Sequence, residues 1–68
     1  MKMKVKINGE VEELADATSL KELADAKGLP EKGVAIAVNN DMVTRQEWAN
    51  RVLAEGDDII IIRAVCGG

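Results

Sequence analysis

Apolar residues open the chain at every second position. Met3, Val5 and Ile7 alternate with Lys2, Lys4 and Lys6, the period of a strand with one dry face and one wet face. Asn8-Gly9 follows, a pair suited to a two-residue hairpin because both turn positions need positive φ. A second strand is expected over Glu10 to Leu14. Val11 and Leu14 differ in parity, and the glutamates suit a short edge strand that resists pairing with another sheet. At Ser19 the period lengthens. Leu20, Leu23, Ala24 and Lys27 follow helical spacing, with the lysine stem lying along the edge of the apolar stripe. Ser19-Leu20-Lys21-Glu22 spells a capping box at the helix start, and Gly28 and Pro30 end the helix.

Val34 to Val38 predicts a third strand, with large residues on one parity and Ala35 and Ala37 on the other. Asn39-Asn40-Asp41 is a turn, and Met42-Val43 is a strand fragment. Thr44-Arg45-Gln46-Glu47 spells a second capping box, which predicts a short helical segment through Trp48 towards Val52-Leu53. After Gly56-Asp57-Asp58 come four consecutive isoleucines, Ile59 to Ile62. Such a β-branched run predicts a strand buried in the middle of a sheet.

The order strand, strand, helix, strand, short helical turn, strand predicts an α+β fold. The most apolar strand, the last, is expected between the first and the third, with one helix closing the core on one face. That is the β-grasp (ubiquitin-like) topology, a mixed sheet whose first and last strands are parallel and central. Parallel neighbours need a long crossover, which the intervening chain supplies. The expected domain is 1-65, with residues 66-68 a flexible tail ending in Gly-Gly.

Composition narrows the function. A chain of 68 residues makes one domain that buries roughly 60% of its unfolded surface, and with no Phe or Tyr and a single Trp its core is aliphatic. Trp48 is expected half-buried at the small end of that core; the competing reading is an exposed anchor for a partner. A net charge of -3 and a pI near 4.8 argue against a nucleic-acid binder, which needs a basic stripe against the phosphates. One cysteine excludes an intrachain disulfide. No apolar stretch reaches the about eighteen residues of a membrane helix and no signal-peptide core follows Met1, so no membrane partner and a cytoplasmic location are expected. The free protein is expected to be a monomer. With no histidine, no clustered cysteines and no isolated carboxylate pair, the chain has no acid-base or metal constellation of its own, so it is expected not to be an enzyme and to bind no cofactor.

The motifs together resemble the ThiS family, the sulfur-carrier proteins of thiamine biosynthesis. The residues that carry the likeness are Ile7-Asn8-Gly9, Ser19-Leu20-x-x-Leu23, Val34 to Asn39, Val43-Thr44-Arg45 with Trp48, Gly56-Asp57, and Ala64-Val65-Cys66-Gly67-Gly68. They span nearly the whole chain, in order. It departs at Thr44, where proline is usual, at Ile60, where glutamate is common, and at Cys66, where glutamine, glycine or alanine is familiar. None of these removes a group that the family's chemistry requires. The resemblance implies that an adenylating enzyme of the ThiF type, related to the ubiquitin activators, uses ATP and magnesium on this terminus. Sulfur from a donor system then reaches a thiazole synthase of the ThiG type. It makes Gly68 the sulfur-bearing residue and Gly67 the residue that gives the tail access.

The chemistry of such a terminus is simple. A carboxylate becomes an electrophile once its oxygen is a leaving group; an acyl-adenylate at Gly68 provides that, and sulfur displacing AMP leaves a thiocarboxylate. Two glycines, lacking Cβ, let the backbone enter a narrow partner site. Cys66 offers a rival chemistry as a persulfide. No cation or helix start lies beside it in sequence to lower its pKa, and Arg63 is three residues upstream. The glutamate usual at position 60 implies that Ile60 faces outwards, so Ile59 and Ile61 are expected under the helix. Ile60 and Ile62, with Ala64 and Cys66, are then the expected partner interface. The small subunit of molybdopterin synthase, a ubiquitin-like modifier joined to lysines and a non-catalytic interaction domain are the alternatives. The first usually has a Phe-rich opening strand, which this chain lacks.

Overall fold

The opening alternation becomes β1 (Lys2–Ile7), with Met3, Val5 and Ile7 buried and the lysines exposed. We describe residues 1–30 and 32–63 of a computed structural model. Asn8 and Gly9 turn the chain with φ of 52° and 85°, and β2 (Glu10–Ala15) returns antiparallel along β1. The helix α1 (Leu20–Ala26) follows, then β3 (Val34–Val38), β4 (Asp41–Val43), a 3-10 turn (Arg45–Glu47) and β5 (Asp58–Arg63). The sheet order is β2-β1-β5-β3-β4. β1 and β5 are parallel through Lys6–Asp58 and Ile7–Ile59, while β3 runs antiparallel to β5 from Val34–Arg63 to Val38–Ile59. This is the expected β-grasp, with first and last strands adjacent at the centre.

The core lies between the sheet and α1. Leu20, Leu23 and Ala24 from the helix meet Val5, Ile7, Ile36, Val38 and Ile59 from the strands. The capping box at Ser19 is complete: its Oγ accepts the Glu22 N–H at 3.1 Å, and a Glu22 carboxylate oxygen accepts the Ser19 N–H at 2.9 Å. Lys27 is the C-cap, and its ammonium reaches across to Glu12 at 2.9 Å, tying the helix end to β2.

Three expectations are corrected. Thr44 and Glu47 do not form a capping box. The Glu47 N–H that a cap would receive donates instead to the Thr44 carbonyl at 2.9 Å, so the segment closes as one 3-10 turn and goes no further as helix. Val52 forms an isolated bridge with Ser19, and Leu53 enters the core. Trp48 is not half-buried but 2% exposed, its indole N–H donating to the Val43 carbonyl at 3.0 Å. The Arg45 guanidinium covers the ring from 4.5 Å and donates to the Pro30 carbonyl. The isoleucine run is central in the sheet but not buried throughout; Ile59 alone is fully buried. A single helix covers one face, and β1 ends at Ile7, so the far half of β5 loses cover on that side.

Asn8 compensates for part of that loss. Its side-chain oxygen accepts the Ile61 N–H at 2.8 Å, two residues past Ile59, where the registered β1–β5 pairing ends. The residue thus fills a positive-φ turn position and replaces a missing strand. Asn8→Ala is expected to lower the unfolding free energy by about 1–3 kcal/mol, from the lost acceptor and the strained φ together. Asn8→Gly, which relieves only the φ, is expected to recover part of it. Urea melts of the three proteins check this.

A second clamp joins the turns at the other end of β5. The Asn39 amide donates to Asp57 at 3.0 Å and accepts the Asp58 N–H at 3.0 Å, while Asp57 accepts the Ala54 N–H at 2.8 Å. The motif residues Asn39 and Asp57 are therefore structural, pinning the end of β3 to the start of β5.

Candidate functional site

The register sorts every strand residue onto one of two faces, since paired residues share a side. On the helix side lie Ile7, Ile36, Val38, Ile59 and Ile61. On the open side, Ile60 pairs with Ala37 and Ile62 with Ala35, and Met42 continues the row through Ala37. Ile60 is 36%, Ile62 52% and Met42 64% exposed. Ile61, on the opposite parity, packs against the core. The burial order expected of the isoleucines is the one observed. The alanines matter for shape: short side chains beside Ile60 and Ile62 leave both standing clear of the surface.

Three exposed apolar side chains gathered on one face of the sheet suit contact with another protein. The poor alternation of β2 is explained by the same register. Glu10, Glu12 and Leu14 face the helix side opposite Ile7, Val5 and Met3, while Val11 stands on the open face opposite Lys6. Val11 is 62% exposed. Reading the sequence missed Met42 and Val11 as members of this face. The signal was their parity relative to partners, which only the pairing reveals.

The residues expected to do the chemistry, Gly67 and Gly68, and the interface candidates Ala64 and Cys66 lie outside the described residues, as does the expected boundary at 65. Arg63, the last described residue before them, lies on the same parity as Ile61 and lines a cleft of about 580 Å³ with Ile7, Leu29, Lys27 and Ile61. The burial of Trp48 removes it as a partner anchor. Among the described residues no three potential metal ligands gather, and no helix is long and apolar enough to cross a membrane. What the open face can supply is docking: an apolar row on the strand that leads towards the glycines.

Comparison with known proteins gives three findings. The ThiS family model matches residues 5–68. The sulfur carrier protein ThiS of Escherichia coli (strain K12) is 27% identical over 66 residues, covering 97% of this chain and all of that protein. The crystal structure of a thiamine biosynthesis protein (ThiS) from Geobacter metallireducens superimposes with a TM-score of 0.82 at 20% identity, over 97% of this chain and all of that one; at this identity the likeness speaks for the fold.

Proposed function

Because the chain belongs to the ThiS family, we propose that it is a sulfur carrier of thiamine biosynthesis whose working group is the carboxylate of Gly68. The observation that carries this reading is the family match, which runs through Gly67 and Gly68 to residue 68. An adenylating enzyme of the ThiF type transfers AMP from ATP to the Gly68 carboxylate, releasing pyrophosphate. Sulfur at the sulfide level then attacks the acyl carbon; a C–S bond forms, the C–O bond to AMP breaks, and a thiocarboxylate remains. A thiazole synthase of the ThiG type takes the sulfur. ATP and magnesium are held by the activating enzyme. The carrier supplies a recognisable globule and a terminus without side chains, which fits the narrow approach the reaction demands.

The open sheet face is the docking surface in this proposal. Ile60 and Ile62 stand on the strand that leads to the terminus, so a partner gripping them holds the reacting end at a fixed distance. Ile60→Glu is expected to weaken association with the activating enzyme by about tenfold or more, since truncating or charging a central apolar anchor commonly costs 1–2 kcal/mol or more. The thermal midpoint is expected to stay within a few degrees, because the side chain is already 36% exposed. Unfolding of the variant, or unchanged affinity, would remove Ile60 from the interface.

The reading itself is tested by mass. Incubated with the adenylating enzyme of its own organism, ATP, magnesium and sodium sulfide, the intact chain gains the difference of one oxygen exchanged for one sulfur. Fragmentation places it on Gly68. A chain left unmodified by that enzyme is a β-grasp domain of another kind.

A further inference from the structure

The lysines of β1 are unexplained by the fold. Three of the chain's nine basic residues, Lys2, Lys4 and Lys6, stand on the open face of one strand in a protein of net charge -3. Lysines commonly guard an exposed sheet edge against stray pairing, but β1 is an inner strand, flanked by β2 and β5, and has no edge to guard. Nor do they neutralise neighbours: none of the three makes an ion pair among the described residues. The carboxylates nearby are differently employed. Glu12 lies on the helix side and holds Lys27, and Glu55 accepts the main-chain N–H of Lys4 at 2.9 Å. Glu13 pairs in register with Lys4, and Asp58 with Lys6, without an ion pair to either.

The ladder shares the open face with the apolar row and is offset from it along the sheet, towards the start of β5. Lys6 is the neighbour of Asp58 across the β1–β5 pair, two residues along the strand from Ile60. Lys4 and Lys6 flank a shallow depression of about 390 Å³ that Val11, Gly56, Glu55 and Asp58 help to line. An apolar centre bounded on one side by uncommitted cations is the arrangement in which charge sets the approach and the apolar contact holds the complex.

We infer that Lys2, Lys4 and Lys6 form an electrostatic guide on the docking face, complementary to a carboxylate-bearing strip on the enzyme that activates the terminus. The inference rests on the sulfur-carrier reading and adds to it the chemistry of the partner's surface. Ile60 and Ile62 supply the grip, and the lysines supply orientation and encounter rate. Lys6 is level with Asp58, two residues short of Ile60, and Lys4 and Lys2 lie further back. The cations must therefore meet carboxylates displayed one strand over and about 7 Å or more back along the strand from the partner's apolar socket, at roughly 4.8 Å between strands and about 3.3 Å per residue.

The test is steady-state thiocarboxylate formation with the adenylating enzyme of the same organism, ATP, magnesium and sulfide, at low and high salt. The triple variant K2Q/K4Q/K6Q is compared with K2R/K4R/K6R and the wild type, after melting curves establish that all are folded. For the glutamine variant the KM for the carrier is expected to rise on the order of tenfold at low salt, with kcat unchanged. The gap is expected to shrink at high salt, where the charges are screened, and the arginine variant is expected to track the wild type. A glutamine variant with the wild-type KM at both salts overturns the guide while leaving the sulfur-carrier reading intact. That same unchanged KM, accompanied by loss of wild-type binding to phosphatidylserine vesicles in the glutamine variant, assigns the lysines to a lipid surface and overturns it equally. A wild type that forms no thiocarboxylate refutes the sulfur-carrier reading, and the inference falls with it.

Discussion

Ile59→Ala is expected to lower the unfolding free energy by about 2–5 kcal/mol, the range for truncating a buried isoleucine. Ile59 has no exposed surface and is paired with Ile7 on one side and Val38 on the other. Its loss opens a cavity where three strands meet, and none of them can move inwards without breaking a ladder. A core of this size supplies only about 3–5 kcal/mol of net stability, so the variant is expected to be largely unfolded at 37 °C. Ile62→Ala, three residues along the same run, is expected to cost less than about 1 kcal/mol, because its side chain already stands 52% in water. Trp48, the sole aromatic and buried beneath Arg45, reports both in urea melts by its fluorescence. Equal losses at the two positions would contradict the alternation that separates core from docking face.

Removing Gly68 is expected to abolish productive sulfur transfer, the largest functional effect. An extended residue spans roughly 3.5 Å, and a misplacement of about 1 Å can already cost 10²-fold where catalysis depends on position. The shortened chain keeps a carboxylate, its globule and its docking face, so binding to the activating enzyme is expected to persist while the mass gain disappears. Cys66→Ser separates the two sulfur chemistries. The serine variant is expected to gain the same mass, located on Gly68; if it binds but remains unmodified, the Cys66 thiol takes part in the transfer and the reading in which Gly68 alone carries the sulfur chemistry is withdrawn. Each outcome is read by intact-mass measurement and fragmentation of the same reaction.

Local signals in the sequence were legible where the structure answers to local physics. β1 follows from its lysine–aliphatic alternation, the hairpin from Asn8-Gly9, and the helix start from Ser19 and Glu22. Thr44 to Glu47 carries the same lettering as Ser19 to Glu22 and does something else. There the main-chain carbonyl of Thr44 takes the Glu47 N–H, and the tertiary position of Trp48 decides in favour of the tighter turn. The depth of Trp48 depends on how residues 48–53 strap onto the helix start, through Lys21 N–H to the Trp48 carbonyl, Leu20 N–H to Arg51 and Leu53 N–H to Thr18. These bonds join segments far apart in the chain, and no window of sequence contains them.

The candidate site divides in the same way. The outward parity of Ile60 and Ile62 was legible through the ThiS resemblance, because glutamate is usual at the first of them. Val11, Met42 and the lysine ladder were not, since a residue's membership of a face depends on which strand lies beside it. Asn39 and Asp57 each read as turn residues; that they grip one another follows only from the β3–β5 pairing.

The parallel pairing of β1 with β5 has a consequence for the order of events in synthesis. Its two registered pairs join residues about fifty positions apart, and β5 supplies the neighbour that both β1 and β3 require. A chain emerging from the ribosome, at roughly 5–20 residues per second, therefore exposes Val5, Ile7, Ile36 and Val38 without the strand that joins them. The contact that unites the two halves becomes possible only once β5 has been made and is free to pair. Folding of this kind is slow for its size because the closure must come before the reward. It also means that a product stopped short of β5 lacks, together, the strand at the centre of the sheet and the exposed Ile60 and Ile62 of its open face.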